Sequence, residues 1–61
     1  MMLIEKALYI CRENPNDISI SFLQRRLILG YSVALKLMDG LIENGWIIKD
    51  IDESQIRYRL R

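Results

Sequence analysis

The sequence contains no histidine, only one cysteine and only one proline among its 61 residues. Without histidine, the chain lacks the side chain that most often transfers protons near neutral pH. Cys11 has no second cysteine to pair with, and no Cys/His cluster offers a zinc site. A Gly-rich phosphate-binding loop is missing as well. We therefore predict that the chain is not an enzyme and uses no catalytic residues, metal, cofactor or small-molecule substrate.

Long apolar runs are also missing from the sequence. No stretch of about 18 apolar residues is present, so the sequence predicts no membrane span. The first residues lack the basic segment and apolar core of a secretion signal, and we expect a cytoplasmic protein. A chain of 61 residues can bury one small core, so we expect residues 1–61 to form a single domain. The net charge of +1 does not by itself indicate nucleic-acid binding.

The first third of the chain predicts an amphipathic helix, a turn and a short strand. Residues 2–13 repeat apolar side chains on one helical face: Leu3, Ile4, Ala7, Leu8 and Cys11. The segment Asn14-Pro15-Asn16-Asp17 then ends the helix, because Pro15 disfavours a helical residue before it and Asn and Asp suit turns. Residues 18–20 alternate apolar and polar side chains, which predicts a strand of two or three residues.

The middle of the chain predicts two helices joined by a tight turn. Ser21 and Gln24 fit a capping box at the start of the first helix. Gly30 would supply the backbone freedom that the turn needs. The second helix, over residues 32–44, repeats apolar side chains at i, i+3, i+4 and i+7: Ala34, Leu37, Met38 and Leu41. With Gly45 as its left-handed C-terminal residue, this is a helix-turn-helix, whose second helix can enter a major groove.

After Gly45 the apolar period changes from 3.6 to 2. Residues 46–51 are rich in strand formers, residues 52–54 suit a polar turn, and residues 55–61 alternate strictly. One face of the last segment carries Arg57, Arg59 and Arg61, which makes a basic wing over residues 55–61. The predicted class is mostly α with a small β-hairpin, a winged helix-turn-helix of order α-β-α-α-β-β.

The helix-turn-helix carries a spaced motif that runs from Leu23 to Tyr31. Its pattern is Leu-Gln-Arg-Arg-x-x-x-Gly-Tyr, and it continues with Ala34, Leu37, Asp39, Leu41 and Gly45. This pattern resembles the winged-helix gamma domain of FtsK-type DNA translocases, in detail over residues 18–47 and in outline over the whole chain. The resemblance implies a domain that binds a short directional sequence of double-stranded DNA.

The resemblance also implies three base-reading positions on the second helix. The family has an Asn at the position of Ser32, an Arg at Lys36 and an acidic residue at Asp39. The helical spacing places all three opposite the buried face. Lys36 can still donate to guanine, Asp39 can accept from cytosine, and Ser32 can bond to several bases. The family has an Arg where this chain has Val33, so the chain differs from the family at the reading positions themselves.

Four arginines are candidates for contact with DNA phosphates. Arg25 and Arg26 lie in the helix that would cross the DNA backbone, where Arg suits bidentate phosphate contact. Arg57 and Arg59 lie about 7 Å apart on one strand face, a spacing similar to that of phosphates along DNA. The alternative is that these are solvated charges, since edge strands also use cations to prevent aggregation.

A protein-binding surface is the competing interpretation of the second helix. Leu35 and Ile42 widen its apolar face beyond what one packed helix needs, and Tyr31 can add to that surface. Exposed apolar patches often mark interaction sites. The alternative function is therefore a protein-interaction module or a homodimeric small regulator that keeps the winged-helix fold without reading DNA.

Overall fold

The computed structural model describes residues 2–61, and over these residues the chain forms three helices and two strands. The elements follow in the order α1 (Leu3–Glu13), α2 (Ile20–Leu27), α3 (Tyr31–Glu43), β1 (Ile47–Asp52) and β2 (Gln55–Leu60). Met1, which the single-domain prediction includes, lies outside the described residues. The predicted class, mostly helical with a C-terminal hairpin, is confirmed, and the arrangement is that of a small winged helix.

The short strand predicted over residues 18–20 does not form in the described chain, so the element order is α-α-α-β-β. Ser19 instead provides the cap of α2. Its backbone is extended (φ −163°, ψ 167°), and its Oγ accepts a hydrogen bond from the Phe22 N–H at 2.9 Å. A cap of this kind satisfies one of the free amides of the first helical turn, and Ile20 is already helical.

The predicted capping box is therefore wrong by two residues. Ser21 lies inside α2, where its Oγ accepts a hydrogen bond from Arg25 Nη1 at 2.8 Å. The prediction failed because Ser19 and Ser21 both precede apolar helical residues, and only the backbone conformation distinguishes them.

The turn between α2 and α3 uses Ile28, and not Gly30, as its left-handed residue. Ile28 has φ 54° and ψ 62°, and the next amide, of Leu29, donates to the Gln24 carbonyl at 3.0 Å. Gly30 has φ −69° and ψ 163°, a conformation open to other residues, and precedes α3 as its N-terminal cap residue. The conformational reason predicted for Gly30 is therefore wrong, and a β-branched residue occupies the costly position.

Gly45 ends α3 as the sequence predicts, with φ 76°. The Gly45 N–H donates to the Ile42 carbonyl at 2.9 Å, and the Trp46 N–H donates to the Leu41 carbonyl at 3.1 Å. This pair of bonds is a Schellman motif, which satisfies carbonyls of the last helical turn. It turns the chain directly into β1.

The core joins all three helices to the base of the hairpin. Its buried side chains are Ala7, Leu8, Cys11, Ile18, Phe22, Leu23, Ala34, Leu37, Met38, Leu41 and Ile47. The buried face predicted for the second helix is thus confirmed in α3. Burial raises the pKa of the Cys11 thiol to about 11, because the charged thiolate is disfavoured away from water. Cys11 therefore packs as a small apolar side chain.

The hairpin pairs β1 with β2 in antiparallel register around a turn at Glu53 and Ser54. Asp50 lies opposite Arg57, and Lys49 lies opposite Tyr58. Because side chains alternate across a strand, each face of the wing is made from every second residue. One face carries Ile48, Asp50, Asp52, Gln55, Arg57 and Arg59, and the other carries Ile47, Lys49, Ile51, Ile56, Tyr58 and Leu60.

Candidate nucleic-acid interface

The outward face of α3 is a row of exposed polar side chains. Ser32, Lys36, Asp39 and Glu43 are all exposed, opposite the buried face of the helix. The Lys36 ammonium has no ion-pair partner among residues 2–61. The exposure agrees with the face that the helical spacing predicts. A role for Ser32, Lys36 and Asp39 in base reading stays a prediction.

The two arginines of α2 are exposed, and each is held by a neutral neighbour. Arg25 donates to the Ser21 hydroxyl at 2.8 Å, and the Arg26 guanidinium lies 5.5 Å from the centroid of the Phe22 ring. Neither arginine forms an ion pair with a carboxylate in the described chain. Both positive charges therefore stay uncompensated, while a hydroxyl and an aromatic ring orient the side chains.

The two wing arginines differ in their partners. Arg59 Nε donates to Asp50 Oδ2 at 2.7 Å, and this ion pair is well exposed to solvent. Arg57 donates through Nε and Nη2 to Gln55 Oε1, at 3.2 and 3.0 Å, and has no carboxylate partner within the described residues. The wing face is thus less basic than β2 alone indicates, because Asp50 faces the same side.

Asp50 is the residue of this candidate surface that the sequence analysis missed. The first strand of the hairpin was predicted to end at residue 51, followed by a turn of three residues. That prediction did not pair Asp50 with any residue of the second strand. The observed two-residue turn fixes Asp50 opposite Arg57 and diagonal to Arg59. The sequence pattern that could have identified Asp50 is its spacing from Asp52, because residues two apart on a strand place both carboxylates on one face.

The flank of α3 that carries the alternative protein surface lies near the wing. Tyr31 is 60% exposed, Leu35 is 36% exposed, and Ile42 packs partly buried against the core. The pKa of Tyr58 is raised, first by burial and then by the nearby Tyr31 and Asp39. Tyr31 therefore lies near the hairpin and is the most exposed of the three residues.

Metal-binding clusters and membrane-spanning helices are both absent from the described part of the chain. Residues 2–61 contain no group of three or more His, Cys, Asp or Glu side chains placed to hold a metal ion. Over the same residues, the helices are too short or too polar for any of them to cross a membrane.

A helix-turn-helix followed by a two-stranded wing places the protein in the class of winged-helix domains. The family model of the Ftsk gamma domain matches residues 2–58, which is nearly the whole chain. The chain therefore belongs to the Ftsk gamma domain family, and the resemblance found in its sequence is confirmed. That family is known as a DNA-binding winged-helix domain and not as a catalytic one. No curated protein and no solved structure matches the chain.

Proposed function

We propose that this protein is a non-enzymatic module that binds double-stranded DNA, with α3 as its recognition helix and the β1–β2 hairpin as its wing. The observation that carries the proposal is the match of a DNA-binding family over residues 2–58. The uncompensated cations on α2, α3 and the wing support it. In this proposal residues 1–61 act as a single domain.

Phosphate contact falls first to Arg25 and Arg26. In a helix-turn-helix the first helix crosses the DNA backbone, and these two arginines are exposed on that helix without a carboxylate partner. The start of α3 adds unpaired donors, because Gly30 offers no side-chain cap to the first amides of the helix. Such amides favour a phosphate group.

The two wing arginines are expected to contribute unequally to DNA affinity. Arg57 can exchange its Gln55 partner for a phosphate without losing an ion pair. Arg59 must first leave Asp50, although an exposed ion pair of this kind stabilises by at most about 1 kcal/mol. We therefore expect Arg57 to contribute more to DNA affinity than Arg59.

Base reading falls to Lys36, Asp39 and Ser32 on the outward face of α3. Lys36 is the one cation of this face and can donate to guanine, whereas Asp39 can accept from cytosine. Asp39 also lies near the wing residue Tyr58. Tyr58 lies on the opposite wing face from Arg57 and Arg59, so base reading by α3 and phosphate contact by the wing arginines are separate parts of the proposal.

A protein-interaction surface or a homodimer is the second candidate. It is favoured by the exposed aromatic and aliphatic side chains of Tyr31 and Leu35 on one flank of α3. In that case Leu35→Glu would break the complex, because a charge would be forced into an apolar contact. Ile42 would contribute less, since it already packs against the core.

The test is duplex binding by four folded variants. Arg25→Gln/Arg26→Gln and Arg57→Gln should weaken binding to all sequences, because they remove phosphate contacts. Lys36→Ala should instead reduce the preference between sequences, by about 1–3 kcal/mol at one base pair. Lys6→Gln is the matched control, since it removes one exposed charge from α1. Equal effects of Lys6→Gln and Arg57→Gln would overturn the proposed surface.

A measurement of solution mass on the same samples separates the two candidates. DNA binding that depends on the arginines, by a protein of monomer mass, supports the leading proposal. An absence of DNA binding together with a dimer mass that Leu35→Glu abolishes would support the protein-interaction candidate instead.

A further inference from the structure

The outer edge of β2 is an open strand edge. The Arg61 N–H donates to the Trp46 carbonyl at 3.1 Å, just beyond the Ile47–Leu60 pair of the hairpin. Because hydrogen-bonded pairs alternate in an antiparallel ladder, the backbone groups of Arg57 and Arg59 point toward β1. Those of Ile56, Tyr58 and Leu60 must then point away from β1, to the outer edge.

The segment next to this edge does not pair with it. Within the described residues, no backbone hydrogen bond joins positions 15–19 to β2. Pro15 has no N–H, and the Asp17 N–H already donates to the Asn14 carbonyl at 3.1 Å. The Ser19 carbonyl accepts from the Leu23 N–H at 3.1 Å as part of the start of α2. The strand predicted over residues 18–20 is thus replaced by a helix cap, and the edge is left uncovered.

A groove of about 550 Å³ lies between this segment and β2. Pro15, Asn16 and Ile18 line one side, and the hairpin lines the other with Asp50, Ile56, Arg57, Tyr58 and Arg59. The volume lies within the range of about 300–1,000 Å³ that ligand-binding clefts occupy. The groove therefore combines free strand hydrogen-bonding groups, apolar side chains on both sides, and Arg57, which has no carboxylate partner within the described residues. The one carboxylate in its lining, Asp50, is paired with Arg59.

The groove is lined by two arginines and one carboxylate, Asp50, so its net charge is positive and favours an acidic occupant over a second copy of this chain. An antiparallel pairing of β2 with β2 of another copy, centred on Tyr58, would place Arg57 opposite Arg59. Like charges directly opposite each other destabilise a strand pair. A strand with carboxylates two residues apart would instead place one carboxylate opposite each arginine, on the same face of the sheet.

We propose that this groove binds an extended acidic segment of a partner protein, which adds to β2 as a new antiparallel strand. The central residue of the segment exchanges backbone hydrogen bonds with Tyr58, and its two flanking carboxylates face Arg57 and Arg59. The carboxylate at Arg57 replaces the neutral Gln55, and the one at Arg59 competes with Asp50. Apolar side chains at the alternate positions pack beside Ile56 and Ile18. The proposal does not depend on DNA binding, but the shared arginines make peptide and DNA compete.

The probe is the blocked peptide Ile-Glu-Val-Glu-Ile, titrated into the isotope-labelled chain without DNA and followed by amide chemical shifts. Its valine is the residue placed opposite Tyr58. We expect the largest shifts at the Ile56, Tyr58 and Leu60 amides, together with slower hydrogen exchange at Tyr58, because that amide gains a partner. The same peptide with Lys in place of Glu should not bind.

Two further measurements separate strand addition from simple charge attraction. A peptide N-methylated at the valine keeps both carboxylates but loses the central donor, so it should bind at least about tenfold more weakly. Arg57→Gln should also weaken binding about tenfold. The matched control Lys49→Gln, which removes an exposed charge from β1, should have little effect.

Several outcomes would overturn the proposal. The Lys peptide could bind as tightly as the Glu peptide, or the N-methylated peptide could bind as tightly as the unmethylated one. The Glu peptide could also leave the Tyr58 amide shift unchanged. A duplex that shifts these amides while the Glu peptide does not would assign the groove to phosphate. The peptide comparisons use the unmodified chain, so a variant that fails to fold does not affect them.

Discussion

Ser19 and Ser21 are two residues apart and have different structural roles. Ser19 accepts a hydrogen bond from the Phe22 amide at the start of α2, whereas Ser21 accepts one from the exposed Arg25 side chain. A cap satisfies a backbone donor that has no helical partner, so it stabilises the fold more than a hydrogen bond between two exposed side chains does.

We expect Ser19→Ala to destabilise the protein by about 1 kcal/mol, since the first turn of α2 loses its cap. Ser21→Ala is the matched control and should change the free energy of unfolding by less than about 0.5 kcal/mol, as surface substitutions usually do. Urea denaturation of both variants measures the difference. A larger loss in Ser21→Ala would show that the helix begins two residues later than described.

Ile28 holds a left-handed backbone with its side chain 90% exposed, so packing does not compensate for its strain. Ile28→Asn should raise the free energy of unfolding by about 0.5–1 kcal/mol, because Asn enters this conformation more readily than a β-branched residue. Ile28→Val keeps the β-branch and should leave stability nearly unchanged. A destabilised Ile28→Asn variant would indicate a contact of the Ile28 side chain that the structure does not show.

At the scale of elements, α3 connects the core to the candidate DNA surface. Its buried face packs against α1, α2 and β1, and its exposed face carries Lys36 and Asp39. The rotation of this one helix therefore decides both which residues hold the fold together and which residues meet a partner.

Leu41→Ala should destabilise the protein by about 2–5 kcal/mol, because Leu41 is wholly buried and its removal leaves a cavity. This is a large fraction of the few kcal/mol that a domain of this size usually has. Leu35→Ala removes the same atoms from the partly exposed flank and should have a clearly smaller effect. Equal losses in the two melting curves would mean that α3 is rotated relative to its described position.

Periodicity was enough to predict the three helices and the hairpin, but the alternation at residues 18–20 predicted a strand that does not form. Local chemistry was not enough to predict where the helices begin and end. The spacing of Ala34, Leu37, Met38 and Leu41 identified the buried face of α3, and the change of period after Gly45 identified the hairpin. The choice between Ser19 and Ser21 as cap depends on the backbone before the helix, which periodicity does not describe. The left-handed residue also proved to be Ile28, against the usual preference for glycine.

The candidate site was only partly predictable for a similar reason. Helical spacing was sufficient to place Ser32, Lys36 and Asp39 on the outward face. The partners of the arginines were not predictable, since they depend on strand register and side-chain conformation. The pairing of Arg59 with Asp50 is the clearest case, because a shift of one residue in the hairpin would have separated them.

At the scale of the whole molecule, the charge balance limits how the protein can bind DNA. The net charge is only +1, so no strong overall field attracts a polyanion. In the proposed function, affinity comes from a few contacts: Arg25, Arg26, Arg57 and Arg59 to phosphates, and Lys36 to a base. We therefore expect a salt dependence that corresponds to this small number of phosphates.

The most direct test of DNA binding is the affinity of the unmodified chain for duplex DNA, measured across a range of salt concentrations. If the four arginines each contact one phosphate, the logarithm of the association constant should fall against the logarithm of salt with a slope of about −3 to −4. A slope of about −2.7 would mean that three of the four arginines contact phosphate, as expected if Arg59 stays paired with Asp50. Duplex binding that is absent, or that does not change with salt, would contradict the account.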